Sequence, residues 1–297
     1  MMRDSFSTFH PVVNFTYFTT VILFSMFFMH PIFQGIALTS AFTYSVSIKG
    51  KKGMKFNLFY LLPMLLLMAA LNPVFNHAGV TILFYARDGN PVTLESILYG
   101  IASAAMFVSV ILWFSCYNEV MTSDKFIYLF GRIIPALSLI FSMVLRFVPR
   151  YTEQIKVISN AQKCIGRDVS QGNIIQRAKN GIKILSIMTT WALENAIETA
   201  DSMRSRGYGL PGRTSFSIFT FDNRDKIMFS IIFGLIIAVL TGAAAGENTI
   251  RFFPSIKHAD ITVYSLLVYT AYFILCMMPV IINIREAIRW KHIESRI

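Results

Sequence analysis

Residues 261–284 read ITVYSLLVYTAYFILCMMPVIINI, twenty-four residues in a row without Asp, Glu, Lys or Arg. About 20 helical residues span the roughly 30 Å hydrocarbon core of a bilayer. Lipid offers no partner for a backbone N–H or C=O, so such a run must bond to itself as a helix. Four more regions lack these charges: 5–48, 56–86, 96–118 and 227–246. The first is long enough for two helices. His30-Pro31 lies near its middle, and the residue before a proline resists the helical conformation. That spacing predicts a hairpin of helices near 12–29 and 32–48. The run 56–86 exceeds one span, with Asn72-Pro73 and Asn76 marking its exit. The expected fold is an all-α integral membrane protein with about six transmembrane helices.

Composition agrees. Of 297 residues, 55% are hydrophobic and 14% charged, against about 25% charged in soluble domains. Residues 1–10 carry one Arg and one Asp, and the apolar run behind them is too long for a signal peptide and lacks a small-residue cleavage site. It reads as a retained span.

The net charge of +11 is unevenly placed. Lys49, Lys51, Lys52 and Lys55 crowd one short loop, and Arg285, Arg289, Lys291 and Arg296 crowd the tail. The loops 87–95 and 247–260, on the opposite side of a six-span arrangement, hold only Arg87, Arg251 and Lys257. Basic residues collect on the cytoplasmic side, so both termini are expected there. Charge sorted across a membrane argues against nucleic acid as the partner and for the bilayer itself. Cys116, Cys164 and Cys276 are isolated, as are the five histidines, so neither a disulfide framework nor a metal site is expected.

The block 119–226 carries fifteen Lys/Arg and nine Asp/Glu and is expected to form a cytoplasmic helical domain between the spans of 1–118 and those of 227–297. Residues 126–149 are nearly membrane-like, but Arg132, Pro135 and Arg146 interrupt them, and charges in mid-bilayer are costly. They read as a helix at the cytoplasmic face, buried on one side against the spans. Two amphipathic helices are expected next. In 150–167, Tyr151, Ile155, Ile158, Ala161 and Ile165 form one stripe, and Glu153, Lys156, Asn160, Lys163 and Arg167 another. In 189–206, Leu193, Ala196, Ala200 and Met203 face apart from Glu194, Glu198, Asp201 and Ser205, and Gly207 follows as at a helix end. Residues 168–180 read as a polar connector.

Catalytic signatures are missing. GYGLPG at 207–212 fits GxGxxG formally, but a helix precedes it and Pro211 lies inside it, so it reads as a turn. No phosphate-binding GxxxxGK[ST], HExxH or GxSxG occurs. Glu194 and Glu198 read as a solvated or partner-facing stripe rather than an acid/base pair. Gly242 and Gly246 form a GxxxG suited to close helix packing. An Arg at the end of each amphipathic helix can pair with a carboxylate in a partner's groove, or merely complement the helix dipole.

The stretch ADSMRSRGYG (200–209) closely resembles the coupling motif of the transmembrane T component of energy-coupling factor (ECF) transporters, the CbiQ/EcfT family. Ser205-Arg206-Gly207 stands at its centre and Tyr208 follows as expected. Arg146-Phe147-Val148-Pro149 is similar to the family's RF-x-P segment, Ala161-Gln162 to the start of its first motif, and His10-Pro11 to its N-terminal HP. The first motif departs at Cys164-Ile165-Gly166, where Ile165 replaces the expected Arg. Lys163 and Arg167 are the nearest bases, so either Arg167 makes the ion pair from a shifted position or this end docks by apolar contact. The resemblance implies a non-catalytic, cofactor-free subunit in the plasma membrane of a bacterium or archaeon. It implies two ABC-type ATPases that bind the ATP, and a small membrane S component that binds a vitamin or metal ion. Ser205–Tyr208, Ala161–Lys163 and Ile165–Arg167 then contact the ATPases, while Arg146, Phe147 and Pro149 shape the coupling domain. A solute-conducting permease and a membrane-embedded lipid enzyme are the alternative classes. The spans hold almost no ionisable residues and no Asp or His cluster, which disfavours both.

Overall fold

The computed structural model describes residues 4–85, 90–131, 134–211, 219–246, 248–258 and 262–295. Arg87, Arg132 and Arg296 lie outside them. The chain divides into two compact units, Met1–Phe126 with Phe219–Ile297, and Ile127–Ile218.

The first unit is a bundle of apolar helices. α1 (Pro11–Phe27) and α2 (Pro31–Phe56) start alike. Each has Pro in its first turn, where the missing N–H costs nothing. Each is capped by the preceding histidine: His10 Nδ1 accepts from the Val12 N–H at 3.3 Å, and His30 Nδ1 from the Ile32 N–H at 3.4 Å. The scattered histidines at 10 and 30 therefore have a structural use.

Among the described residues, four helical stretches are long and apolar enough to cross a membrane: Pro31–Phe75, Leu94–Val120, Asn223–Ala244 and Val263–Glu294. The first has 45 residues, about twice what one crossing needs. It reverses at Gly50, whose φ of 57° and ψ of −138° break the helix. The reversal is visible in the Asn57 side chain, which donates to Ser45 Oγ at 3.3 Å; in an unbroken helix twelve residues would separate them by about 18 Å. Beyond the basic turn the chain runs through a π-turn, Asn57–Leu61, into α3 (Leu62–Phe75), which ends at Asn76 as the sequence suggests. α1, at 17 residues, is a shorter apolar helix. α4 (Leu94–Val120), α8 (Asn223–Ala244) and α9 (Val263–Glu294) complete the unit. Two small antiparallel hairpins, Ile82–Tyr85 with Pro91–Thr93 and Ile250–Arg251 with Lys257–His258, occupy the connections that the sequence leaves as loops.

Lipid tails are as apolar as leucine, so packing and hydrogen bonds must hold such a bundle together. An aromatic cluster joins α1, α2, α4 and α9. Phe18 meets Trp113 with ring centroids 6.4 Å apart, edge to face, and Phe33 lies 4.8 Å from Tyr272. The Tyr17 hydroxyl donates to the Cys276 carbonyl at 3.0 Å. Gly242 lets α8 approach α9, because a Cβ there would fall 2.6 Å from both methyls of Val268. Gly246, its GxxxG partner in sequence, instead ends the helix with a φ of 85°.

The N-terminal segment ties the bundle's base. Asn283 Oδ1 accepts from the Ser5 N–H at 2.9 Å, and its Nδ2 donates to Asp4 at 2.6 Å. Asp225, at the start of α8, accepts from the His10 N–H at 3.0 Å. Lys125, in the short α5 (Ser123–Gly131), is buried and donates to the carbonyls of Val120 and Ser7. Burial pushes its ammonium below the usual lysine range, against the opposing pull of Asp4.

Candidate functional site

The second unit is built on two long helices, α6 (Pro135–Cys164) and α7 (Ile174–Ser205). Two expectations change here. The segments 126–149 and 150–167 are not divided at 149, because α6 runs unbroken through Pro149, while 126–131 belong to α5. A proline removes one hydrogen bond and crowds one carbonyl, and the long run of helical turns on both sides carries the helix past it. Nor is 168–180 all connector. Asn173 caps α7, its Oδ1 accepting from the Ile174 N–H at 2.7 Å, so the helix begins at Ile174, well before the start at 189 that the apolar stripe suggests.

α6 and α7 lie antiparallel. Ile158 packs on Ile184 and Met188, with Tyr151, Val169 and Trp191 around them. Phe147 stacks on Tyr151 at 5.7 Å, Tyr151 meets Trp191 edge-on at 5.5 Å, and the Arg150 guanidinium sits 5.5 Å above the Trp191 ring. Of the expected apolar stripes only Tyr151 and Ile158 enter this core. Ile155, Ile165 and Leu193 are exposed, and so are Ile140, Phe141, Val144, Leu145 and Val148 of the membrane-like segment. On α7, Ile175, Ile182, Leu185, Leu193 and Ile197 recur at helical spacing as an apolar stripe, each more than half exposed.

Towards the start of α6 the helices part, leaving a groove of about 640 Å³. Arg146, Phe147 and Arg150 line it from α6, and Glu198, Arg206 and Tyr208 from the end of α7. The RF-x-P segment and the SRGYG motif, far apart in sequence, thus share one wall-to-wall space. Pro149 is exposed and outside it. The sequence motifs do not single out Arg150, although it lies four positions after Arg146 and so on the same helix face.

The two helix ends share one backbone design. At the end of α7, the Gly207 N–H donates to the Arg204 carbonyl at 2.9 Å and the Tyr208 N–H to Met203 at 3.0 Å. At the end of α6, the Gly166 N–H donates to Lys163 at 3.0 Å and the Arg167 N–H to Gln162 at 2.9 Å. Gly207 and Gly166 have φ of 79° and 76°, the left-handed conformation that closes a Schellman cap. Residue by residue, Ile165 occupies the place of Arg206, and Arg167 that of Tyr208. Ala161, Gln162, Lys163, Ile165, Gly166 and Arg167 do not join the groove. They lie at the other end of the hairpin, roughly 40 Å away when α7 is counted from Asn180 to Arg206 at 1.5 Å per residue. Lys163 pairs with Asp168 at 3.6 Å. Hydrogen bonds from Ser170, chiefly its hydroxyl, hold the Asp168 carboxyl below the usual range, and Lys163 adds to this. The Asn180 side chain donates to the Asp168 carbonyl at 3.0 Å, fixing the turn beyond Arg167.

The profile of the CbiQ family, described as cobalt transport protein, matches residues 4–218. Relatives include proteins described as energy-coupling factor transporter transmembrane protein EcfT. The chain is 34% identical over 108 residues to that of Leuconostoc gelidum and 35% over 112 residues to that of Lactobacillus helveticus. Each match covers 36% of this chain and 40% of the relative. With the protein of Lactococcus lactis the identity is 36% over 106 residues, 35% of this chain and 40% of the relative.

Proposed function

Because the chain belongs to the CbiQ family of energy-coupling factor transmembrane components, we propose that it is the coupling subunit of an ATP-driven importer and performs no chemistry itself. In this reading two ABC-type ATPases bind ATP, and a membrane S component binds a vitamin or a metal ion. The unit 127–218 faces the cytoplasm, and the ends of α6 and α7 each dock in one ATPase. Closure of the ATPases on ATP moves the two helix ends, and the rigid hairpin passes that motion to the S component.

The observation that carries this reading is the repeated helix terminus. Two Schellman caps of the same geometry sit at opposite ends of one hairpin, far enough apart to engage two subunits. Arg206 is exposed at the cap position of one of them, where its fork can take a carboxylate in two parallel hydrogen bonds. The exposed apolar stripe of α7 supports a second contact, with a partner that is itself apolar.

The test is Arg206→Glu in the assembled transporter. Truncating one member of a desolvated charge pair costs about 2–5 kcal/mol, so ATPase docking should weaken by roughly 30-fold or more and uptake should cease. The spans should stay folded. Full uptake with both ATPases still co-purifying would refute the role given to Arg206.

A further inference from the structure

The wall of the membrane unit carries a feature that coupling does not use. Between α2, the π-turn and α4 lies an apolar slot of about 280 Å³. Leu38 and Phe42 form one side, Leu58 and Leu62 the other, and Val108 and Leu112 the floor. The π-turn borders the space. Its extra residue per turn swings Asn57 inward to Ser45, which buries Asn57 and leaves Leu58 and Leu62 about half exposed at the rim. Single π-turns in helices often mark functional sites.

The slot ends beside the basic turn. Lys51 and Lys55 are one helical turn apart, and Asn57, which lines the slot, follows Lys55 by two residues. Lys52 adjoins them. Lys51, Lys52 and Lys55 are exposed, and among the described residues neither ion pair involves them. Lys49 differs: it is held by Glu119 at 3.5 Å and Ser115 at 2.7 Å. Like charges four apart on a helix repel, so the turn holds a positive charge that an anion would relieve. From Asn57 to Leu65 the slot extends about 12 Å along the helix, close to the roughly 15 Å depth of one leaflet's hydrocarbon.

We propose that this slot binds an anionic phospholipid, its phosphate on Lys51, Lys52 and Lys55 and one acyl chain between α2 and α4. Any lipid can fill the apolar part. The lysines select the headgroup, since basic residues at the membrane surface each contribute an attraction for anionic lipid that adds across the cluster.

The test uses the purified full-length chain, washed with detergent, exposed to an equal mixture of phosphatidylglycerol and phosphatidylcholine, and read by native mass spectrometry. Phosphatidylglycerol should be retained over phosphatidylcholine by about tenfold or more. K51Q/K52Q/K55Q should abolish that preference, and K51R/K52R/K55R should keep it. Thr43→Trp, which fills the slot from its rim, should lose the bound lipid with the lysines intact. A thermal melt checks that each variant is folded, and if Thr43→Trp is not, the lysine series decides. Equal retention of the two lipids by the unaltered chain, or an undiminished preference in the glutamine variant, overturns the proposal. A photoreactive residue at Phe42 in the assembled transporter should capture lipid; capture of protein alone would show a protein interface in its place.

Discussion

Gly207→Ala tests whether the α7 terminus is a preformed backbone device. Gly207 has a φ of 79°, and an L-residue there costs about 1–2 kcal/mol relative to its preferred conformation. The added Cβ would lie 3.2 Å from Leu210 Cδ1, the tip of an exposed, flexible side chain that can move aside. The backbone term therefore dominates, at about 1.4 kcal/mol or tenfold in the closed-to-open ratio of the cap. The two hydrogen bonds from Gly207 and Tyr208, 2.9 and 3.0 Å long, report directly on that ratio. Hydrogen exchange of the amides at 207 and 208 should accelerate about tenfold, while exchange around Ile184 and Met188 stays unchanged. Gly166→Ala supplies the internal comparison. A Cβ there meets nothing within 4 Å, so it should show the same acceleration at 166 and 167 from strain alone. If the cap must be closed to dock, ATPase affinity is scaled by the fraction of chains that remain closed. Unaltered exchange at 207 and 208 would refute the argument, because a left-handed cap cannot accept alanine without loss.

Four other substitutions probe other parts of the chain. Ile165→Arg restores the residue that the resemblance expects at an exposed position and should leave assembly with the ATPases intact or tighter, measured by co-purification; severe loss would show that this end docks by packing. Asn283→Ala removes the acceptor of the Ser5 N–H and a donor to Asp4, at about 1–3 kcal/mol for the partners left unsatisfied; the thermal midpoint in detergent should fall. Gly242→Leu forces α8 from α9, where even a Cβ would clash with Val268, and overpacking of about 1–3 kcal/mol should show as a lower midpoint, whereas Gly246→Ala meets open space and pays only for its backbone angle.

The membrane unit was largely legible in the sequence because lipid leaves a chain few choices. A charge-free run of 20 or more residues must be helical, and paired HP dipeptides open two such helices in the same way. What escaped were features set by one or two residues. The π-turn at Asn57–Leu61 goes with a contact between Asn57 and Ser45 that only the folded hairpin creates. The strands of the small β-hairpins are two to four residues long, too short for alternation to show. In the second unit the helix termini were legible from Gly166 and Gly207, whereas the helix starts were not. Polarity at 174–180 resembles a loop, but it suits a helix with solvent on most sides, and the cap that starts it is a single Asn173. The groove was half legible: Arg146 and Arg206 were both singled out, but their proximity follows from the antiparallel register, which no local pattern encodes.

In the proposed role, the two termini would offer their partners different chemistry. Backbone geometry is the same at both, so each presents a left-handed cap at the tip of a helix. The side chains at the equivalent positions are Arg206 and Ile165. Among the described residues that line the groove, Arg146, Arg150 and Arg206 stand against one acid, Glu198, so the groove carries a positive excess and should favour an acidic partner surface. At the other end Asp168 is engaged by Lys163, and the exposed Ile165 stands beside the exposed Arg167, which suits an apolar pocket with a carboxylate at its rim. If each tip docks on one ATPase as proposed, tips that differ in this way suit two ATPases that are not identical, each reading a different end. A symmetric pair of ATPases would instead place the same groove against Arg206 and Ile165, and one of the two contacts would be poorly matched.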